Sequence, residues 1–400
     1  MSGKKFWLVL IAIPIFLVAA TLLRRWTVQF TVMPASQVSP FVSRAPMPAP
    51  DDDAWEGEVE QFERWRVRSK EEAVTFYVLN DERSNEQIAR HGILVTRPGA
   101  KATIVIMHGY TSGKTDMGGL RLLFTKYNLF LFDFRAHGED VEGQASTFGY
   151  NEVYDVFAAV DFLKTRPETK ELPLIGYGFS MGAATTIEAQ ARDPKLFDAL
   201  ILDCPFDSSD NIIRRGLDRV LGRIQVPFFD YTFQMPGKEF LQKYAFHPYV
   251  QPILFFLLRV FAGMDASRVP TTPMPIKPIE SVRSITVPVL FIACYADDRV
   301  PVDAVAGIYA NAAGYKRLWI TKGVRHYGSV FNNPELYQHV VSHFIERVLN
   351  KKYLTEPQAR VMMEMPRSEL LRMHDKLYTH PISPELLMLL YPPKDADKNK

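Results

Sequence analysis

The chain has 400 residues, 47% of them hydrophobic and 23% charged, with a formal net charge of +2. That balance belongs to a globular protein and excludes a disordered or collagen-like chain. A near-neutral chain has no overall electrostatic reason to bind nucleic acid, and two cysteines can neither frame a disulfide scaffold nor fill a four-cysteine zinc site.

In chain order, the first feature is an apolar run. Residues 6–23 read FWLVLIAIPIFLVAATLL, 18 residues without a charge, the lower end of what crosses a bilayer as a helix. Lys4 and Lys5 precede it, and Arg24 and Arg25 follow. We read residues 1–25 as a single-pass N-terminal transmembrane anchor with the body on the extracytoplasmic side of the membrane. The alternative is a signal peptide cleaved near Val18-Ala19-Ala20, which would leave an exported protein. The run continues past that point through Leu22-Leu23 and into two arginines, which argues against cleavage. Residues 26–54 read as a stalk. Five prolines fall within 34–54, with Asp51-Asp52-Asp53 at its end, and such a composition cannot bury a core.

The body is read over residues 55–350. Strand candidates fall at 74–79, 93–96, 103–107, 129–132, 172–177, 199–202, 287–293 and 317–320, with helical spacing over 153–163 and 336–349. Strands alternating with helices predict a mostly parallel sheet covered on both faces. Residues 206–281 interrupt the alternation and are too long for a loop, so they are expected to form a helical cap. Residues 351–400 form a tail, expected to be helical over 356–377 and frayed over the charged end 394–400.

The sharpest chemical signal is Gly178-Phe179-Ser180-Met181-Gly182, between an apolar strand and a helical run. A sharp strand-to-helix turn holds such a serine clear of the sheet, and flanking glycines remove side chains that would collide with neighbouring strands. A serine hydroxyl needs a base. His326, after the last strand candidate and before the last long helix, is the choice. The orienting acid is read as Asp297, just past strand 287–293. Asp298, Asp203 and Asp207 are the alternatives. The oxyanion of an acyl transfer needs backbone donors, here the N–H of Met181 and, from the loop after strand 103–107, the N–H of Tyr110. His108 is read as a residue that hydrogen-bonds loop backbone. His339 and His343 lie i, i+4 on one helix, but HVVSH lacks the glutamate of a zincin motif, so no metal is expected there. No cofactor is expected either.

Several stretches together resemble the α/β-hydrolase superfamily of serine hydrolases. His108-Gly109-Tyr110-Thr111-Ser112-Gly113 is similar to its oxyanion turn. Asp133-Phe134-Arg135-Ala136-His137-Gly138 is similar to its D-x-R-G-H-G loop, with Ala136 where glycine is usual. The serine elbow, the acid loop 297–301 and His326 follow in the family's order. The likeness covers about residues 70–350 and is nearest to membrane-anchored or exported bacterial members. It implies an eight-stranded-type sheet with a cap, and ester cleavage through an acyl-enzyme on Ser180, Asp297 and His326. The substrate would be a small-molecule or lipid-like ester, with a membrane as partner through the N-terminal helix. A serine peptidase or amidase on the same triad, and a catalytically silent binding protein, are the competing readings. Cys294-Tyr295-Ala296 replaces the more usual His-Gly before the acid, which could shift the Asp297 loop. Cys204 and Cys294 are read as reduced core thiols, with a disulfide between neighbouring strands as the alternative.

Overall fold

The computed structural model describes residues 69–79, 86–138, 143–221, 243–244, 247, 249–250, 269–377 and 382–390. The N-terminal run and stalk, the centre of the cap region and the charged end of the tail lie outside them. Among the described residues, no helix is long and apolar enough to cross a membrane.

Nine strands form one sheet in the order β1-β2-β4-β3-β5-β6-β7-β8-β9. They are β1 (Lys70–Leu79), β2 (Gln87–Thr96), β3 (Thr103–Met107), β4 (Asn128–Phe132), β5 (Leu174–Phe179), β6 (Ala199–Asp203), β7 (Val289–Ala296), β8 (Lys316–Val324) and β9 (Ala359–Met363). β1 and β2 form an antiparallel hairpin and β2 pairs antiparallel with β4; every later pairing is parallel. β3 to β6 are buried along their whole length, as a parallel sheet covered on both faces requires.

The two strands of the hairpin are longer than their apolar cores predict. In β1 only Val74, Phe76 and Val78 turn inward, while Thr75, Tyr77 and Leu79 face out. Such an alternating edge strand leaves a weak apolar signature at its polar end. Prolines shift two other boundaries. Pro173 and Pro288 each donate no N–H to the ladder, so β5 begins at Leu174 and β7 at Val289.

The connecting helices are α1 (Glu152–Thr165), α2 (Met181–Arg192), α3 (Ser209–Leu221), α4 (Val302–Asn311), α5 (Pro334–Leu349), α6 (Arg367–Leu377) and α7 (Pro384–Leu390). Successive strand residues feed opposite layers. Val105 and Met107 pack with Val156 and Val160 of α1 and Ala184 and Ile187 of α2. Ile104 and Ile106 pack in the layer of Val341, Phe344 and Ile345 of α5.

The tail corrects the expectation of a helical 356–377. Its first part is β9, which extends the sheet beyond β8, and helix begins only at Arg367. Pro366 separates the two elements and biases the preceding residue towards extended backbone. Met365, Leu370 and Leu386 join the core layer that holds α4. Asp303, in the first turn of α4, accepts hydrogen bonds from Ser383 N (3.0 Å) and Ser383 Oγ (2.8 Å) and pairs with His374 Nε2 (2.7 Å). The tail is thus bolted to the helix that follows the acid loop.

Leu370 is fully buried, so Leu370→Ala is expected to destabilise the protein by about 3 kcal/mol. Urea unfolding checks this. A loss under roughly 0.5 kcal/mol, as at an exposed site, would mean that the tail does not share the core.

Candidate active site

Ser180 follows β5 and caps α2 with φ +49° and ψ −111°. A non-glycine residue at positive φ is strained and persists only where its surroundings hold it. Three contacts do so. The Ser180 N–H donates to Asp203 O at the end of β6 (2.9 Å), and Ser180 O accepts the first helical bond from Ala184 N (3.0 Å). Gly182 lies so close to β3 that a β-carbon there would meet Met107 O at 2.2 Å. The elbow is therefore wedged between β3 and β6. Its first free amide, Met181 N, is one of the unsatisfied N–H groups of a helix start, where the macrodipole favours negative charge.

The candidate acid and base follow β7 and β8. Asp297 is buried, and its Oδ1 accepts from Arg299 N (2.7 Å) and Val300 N (2.9 Å). Its Oδ2 faces His326 Nδ1 at 2.7 Å. Burial alone would raise the Asp297 pKa. The facing imidazole and these hydrogen bonds outweigh it and hold the carboxyl below its usual range. His326 sits between Arg325 (φ +76°) and Tyr327 (φ +68°), both left-handed. That tight loop is tied to the end of β7 by Arg325 N to Ala296 O (3.1 Å) and by the Cys294 thiol to Arg325 O (3.0 Å). The register of β7 against β8 slips between Cys294 and Ala296. The unusual Cys294-Tyr295-Ala296 therefore ends in a local irregularity, and Asp297 still meets the imidazole.

The rings of Phe179 and Tyr327 lie 5.4 Å apart, which brings the residues flanking Ser180 and His326 together. Gly109, of the predicted oxyanion turn, packs against the Tyr327 hydroxyl; a β-carbon there would fall 1.8 Å from it. Tyr110 follows, its hydroxyl 2.7 Å from Thr271 Oγ1. Elbow, histidine loop and oxyanion turn thus converge at the carboxyl ends of β5, β8 and β3. His108 is buried, and its Nε2 accepts from Phe134 N (3.0 Å) while Nδ1 faces Gly109 O (2.8 Å). Burial lowers its pKa to about 4, so it is a neutral strut between two loops. Asp133-Phe134-Arg135-Ala136-His137-Gly138 is anchored by Arg135. That guanidinium is buried on Asp155 of α1, through Nε (3.1 Å) and Nη2 (2.9 Å). Ala136 takes φ +61°, which explains why glycine is the easier residue there.

Asp298 is exposed, and Asp207 is held by Arg215 Nη1 (3.0 Å) and Nη2 (2.8 Å). His339 and His343 are exposed on α5, with His343 Nε2 against Arg347 Nη1 (2.8 Å). Cys204 and Cys294 are both free, buried thiols.

The sheet order, the elbow at the end of β5 and the parallel crossovers decide the architecture. The fold is that of the α/β-hydrolases. A family model described as "Serine aminopeptidase, S33" matches residues 98–261. Among curated proteins, the chain is 28% identical over 250 residues to the uncharacterized protein YqkD of Bacillus subtilis, covering 62% of this chain and 72% of that one. It is 25% identical over 205 residues to the alpha/beta hydrolase domain-containing protein WAV2 of Arabidopsis thaliana, covering 51% and 55%. Among solved structures, the esterase Pf2001 of Pyrococcus furiosus aligns at TM-score 0.51 and 24% identity, over 70% of this chain and 91% of that one. The alpha/beta hydrolase GrgF of Penicillium sp. sh18 aligns at TM-score 0.50 and 18% identity, over 70% and 99%.

Within this hydrolase fold lies a buried network that the sequence does not reveal. Asp203 Oδ2 accepts from the Tyr337 hydroxyl of α5 (2.7 Å), which is itself hydrogen-bonded to the Tyr177 hydroxyl of β5. Asp203 Oδ1 accepts from the Cys204 thiol (3.2 Å). Burial pushes the Asp203 pKa up to about 6, against the pull of these bonds and of His326. The folded value exceeds the unfolded one, so the native state retains a proton that the unfolded chain releases. Stability from this group is therefore present near pH 4 and lost as pH rises through about 6, a difference on the order of 3 kcal/mol. Asp203→Asn, which keeps an acceptor for Tyr337, is expected to flatten that fall in guanidinium unfolding near pH 4 and near pH 8. Identical slopes in the two proteins would show that Asp203 titrates normally.

Proposed function

We propose that the protein is a serine hydrolase of carboxylic esters, acting through an acyl-enzyme on Ser180, His326 and Asp297. The observation that carries the reading is the 2.7 Å contact between Asp297 Oδ2 and His326 Nδ1 at the mouth of a strained serine elbow. The buried carboxylate accepts a hydrogen bond from the Nδ1–H. That leaves Nε2 of the neutral imidazole unprotonated and able to take the proton of the Ser180 hydroxyl. Ser180 Oγ attacks the ester carbonyl, and the oxyanion is received by the N–H groups of Met181 and Tyr110. The imidazolium, steadied by Asp297, returns the proton to the leaving alcohol. Water then repeats the sequence on the acyl-enzyme, with His326 as base, to release the acid.

An apolar acyl group is favoured by the wall beside the oxyanion turn. There the Tyr110 and Phe148 rings lie 4.9 Å apart and the Phe148 and Phe206 rings 5.6 Å apart. A catalytically silent binding protein would be favoured by an Asp297 loop turned away from the imidazole, and the geometry argues against it. The peptidase reading has one support, the description of the matching family model. For location, our reading remains a single-pass membrane anchor over residues 6–23 with the body extracytoplasmic, supported by the 18-residue uncharged run.

A paired ester and amide with a common apolar acyl group tests the reaction. The ester is expected to be turned over far faster. Ser180→Ala should abolish turnover with thermal stability retained, and Asp297→Asn should lower kcat by about 10⁴-fold through the wrong imidazole tautomer. Amide cleavage at the faster rate would establish the peptidase, and full activity in Ser180→Ala would overturn both readings.

A further inference from the structure

Behind the acid and base sits a third group that ester hydrolysis does not use. Cys204 follows Asp203 at the end of β6, in left-handed backbone (φ +52°), with its N–H held by Ile292 O at 2.9 Å. Its thiol is buried. One donor atom each from Cys204, Asp297 and His326 lie within 4.8 Å of one another. We propose that these three side chains form a binding site for a thiophilic divalent cation, with zinc as the type, and that the bound ion silences the enzyme.

The donor chemistry selects the ion. A sulfur, an imidazole nitrogen and a carboxylate oxygen are zinc's own ligand set, and in a tetrahedral site such donors lie roughly 3.5 Å apart. Asp297 Oδ2 and His326 Nδ1, 2.7 Å apart, have to open by about an ångström to reach that spacing, and the three donors start within 4.8 Å of one another. Magnesium prefers an octahedral shell of oxygens and gains nothing from a thiol. Charge also balances. A thiolate and a carboxylate together neutralise the dication, and the imidazole binds neutral. On binding, the Cys204 S–H proton leaves to solvent and the sulfur lone pair forms the bond to the metal, with no change of oxidation state.

The frame is already fixed. Asp297 Oδ1 is held by the amides of Arg299 and Val300 and Oδ2 by the Nδ1 proton of His326, so the ion takes Oδ2 by displacing that proton. Such outer hydrogen bonds orient metal-binding carboxylates. Silencing rests on the triad reading above and follows from the ring nitrogen that faces Asp297. An ion on Nδ1 moves the imidazole proton to Nε2, where it blocks acceptance from Ser180.

The experiment uses the full chain in detergent. Turnover of a short apolar ester is titrated with zinc chloride, then with excess EDTA, with magnesium chloride as the control. Cobalt(II) chloride binding is followed separately by the thiolate-to-cobalt charge-transfer absorption, which needs no turnover. The wild type is expected to lose activity to zinc, recover it with EDTA and ignore magnesium, and to show the cobalt band. Cys204→Ser and Cys204→Ala are expected to keep their ester activity, to need more than about tenfold more zinc for the same inhibition, and to lack the band. Cys294→Ser should keep the wild-type cobalt band and, relative to its own basal rate, the wild-type zinc sensitivity. Equal zinc sensitivity with and without Cys204, or cobalt bound without a thiolate band, would overturn the site. A thiolate band in a protein without esterase activity would uphold the site and refute the hydrolase reading. An active wild-type enzyme without the band would refute the site alone.

Discussion

The position of Ser180 depends on a backbone that cannot relax. At φ +49° and ψ −111° the residue would move to an ordinary conformation if it were free to. It is held because its N–H is committed to Asp203 O and the next turn is pressed against β3 at Gly182. Strain of this kind costs on the order of 1–3 kcal/mol, and the packed sheet on both sides supplies the constraint. The same wedge puts the Met181 amide at a helix start, beside the loop that carries Tyr110. A strained turn serine, a helix dipole and one helix-start amide, the three features the proposed mechanism needs, thus follow from a single turn.

The candidate acid and base are placed by different means. Asp297 is fixed by two backbone amides on one oxygen and by His326 on the other, while His326 rides a loop with a left-handed residue on each side of it. The loop is tied to β7 rather than left to solvent. Beyond it, Asp303 of α4 anchors the tail through Ser383 and His374. The ninth strand and the two tail helices therefore brace the acid side of the sheet, so a segment outside the catalytic order contributes to the rigidity of the site.

The buried strands and the serine elbow are legible in the sequence because their signals are local. TIVIM and NLFLF are apolar at every position, and the elbow is five consecutive residues. The order of Ser180, Asp297 and His326 along the chain adds the acid and the base. The long-range polar groups leave no such mark. Asp203 meets Tyr337 across 134 positions and Arg135 meets Asp155 across 20, and nothing in either neighbourhood announces the partner. The apolar residues of the tail also fit a helical period, so its sequence predicts helix over 356–377. β9 forms there because the open edge of β8 offers unpaired backbone groups. The centre of the cap and the apolar run at 6–23 lie outside the described residues.

The most direct test of the account is whether Ser180 is an activated nucleophile. Full-length protein in detergent is treated with a fluorophosphonate, and the adduct is located by peptide mass spectrometry, alongside His326→Ala. The account requires a single adduct on Ser180 in the wild type and a loss of labelling in the variant, because the serine depends on the imidazole to accept its proton. Labelling at another residue, or none in a folded wild-type protein, would contradict it.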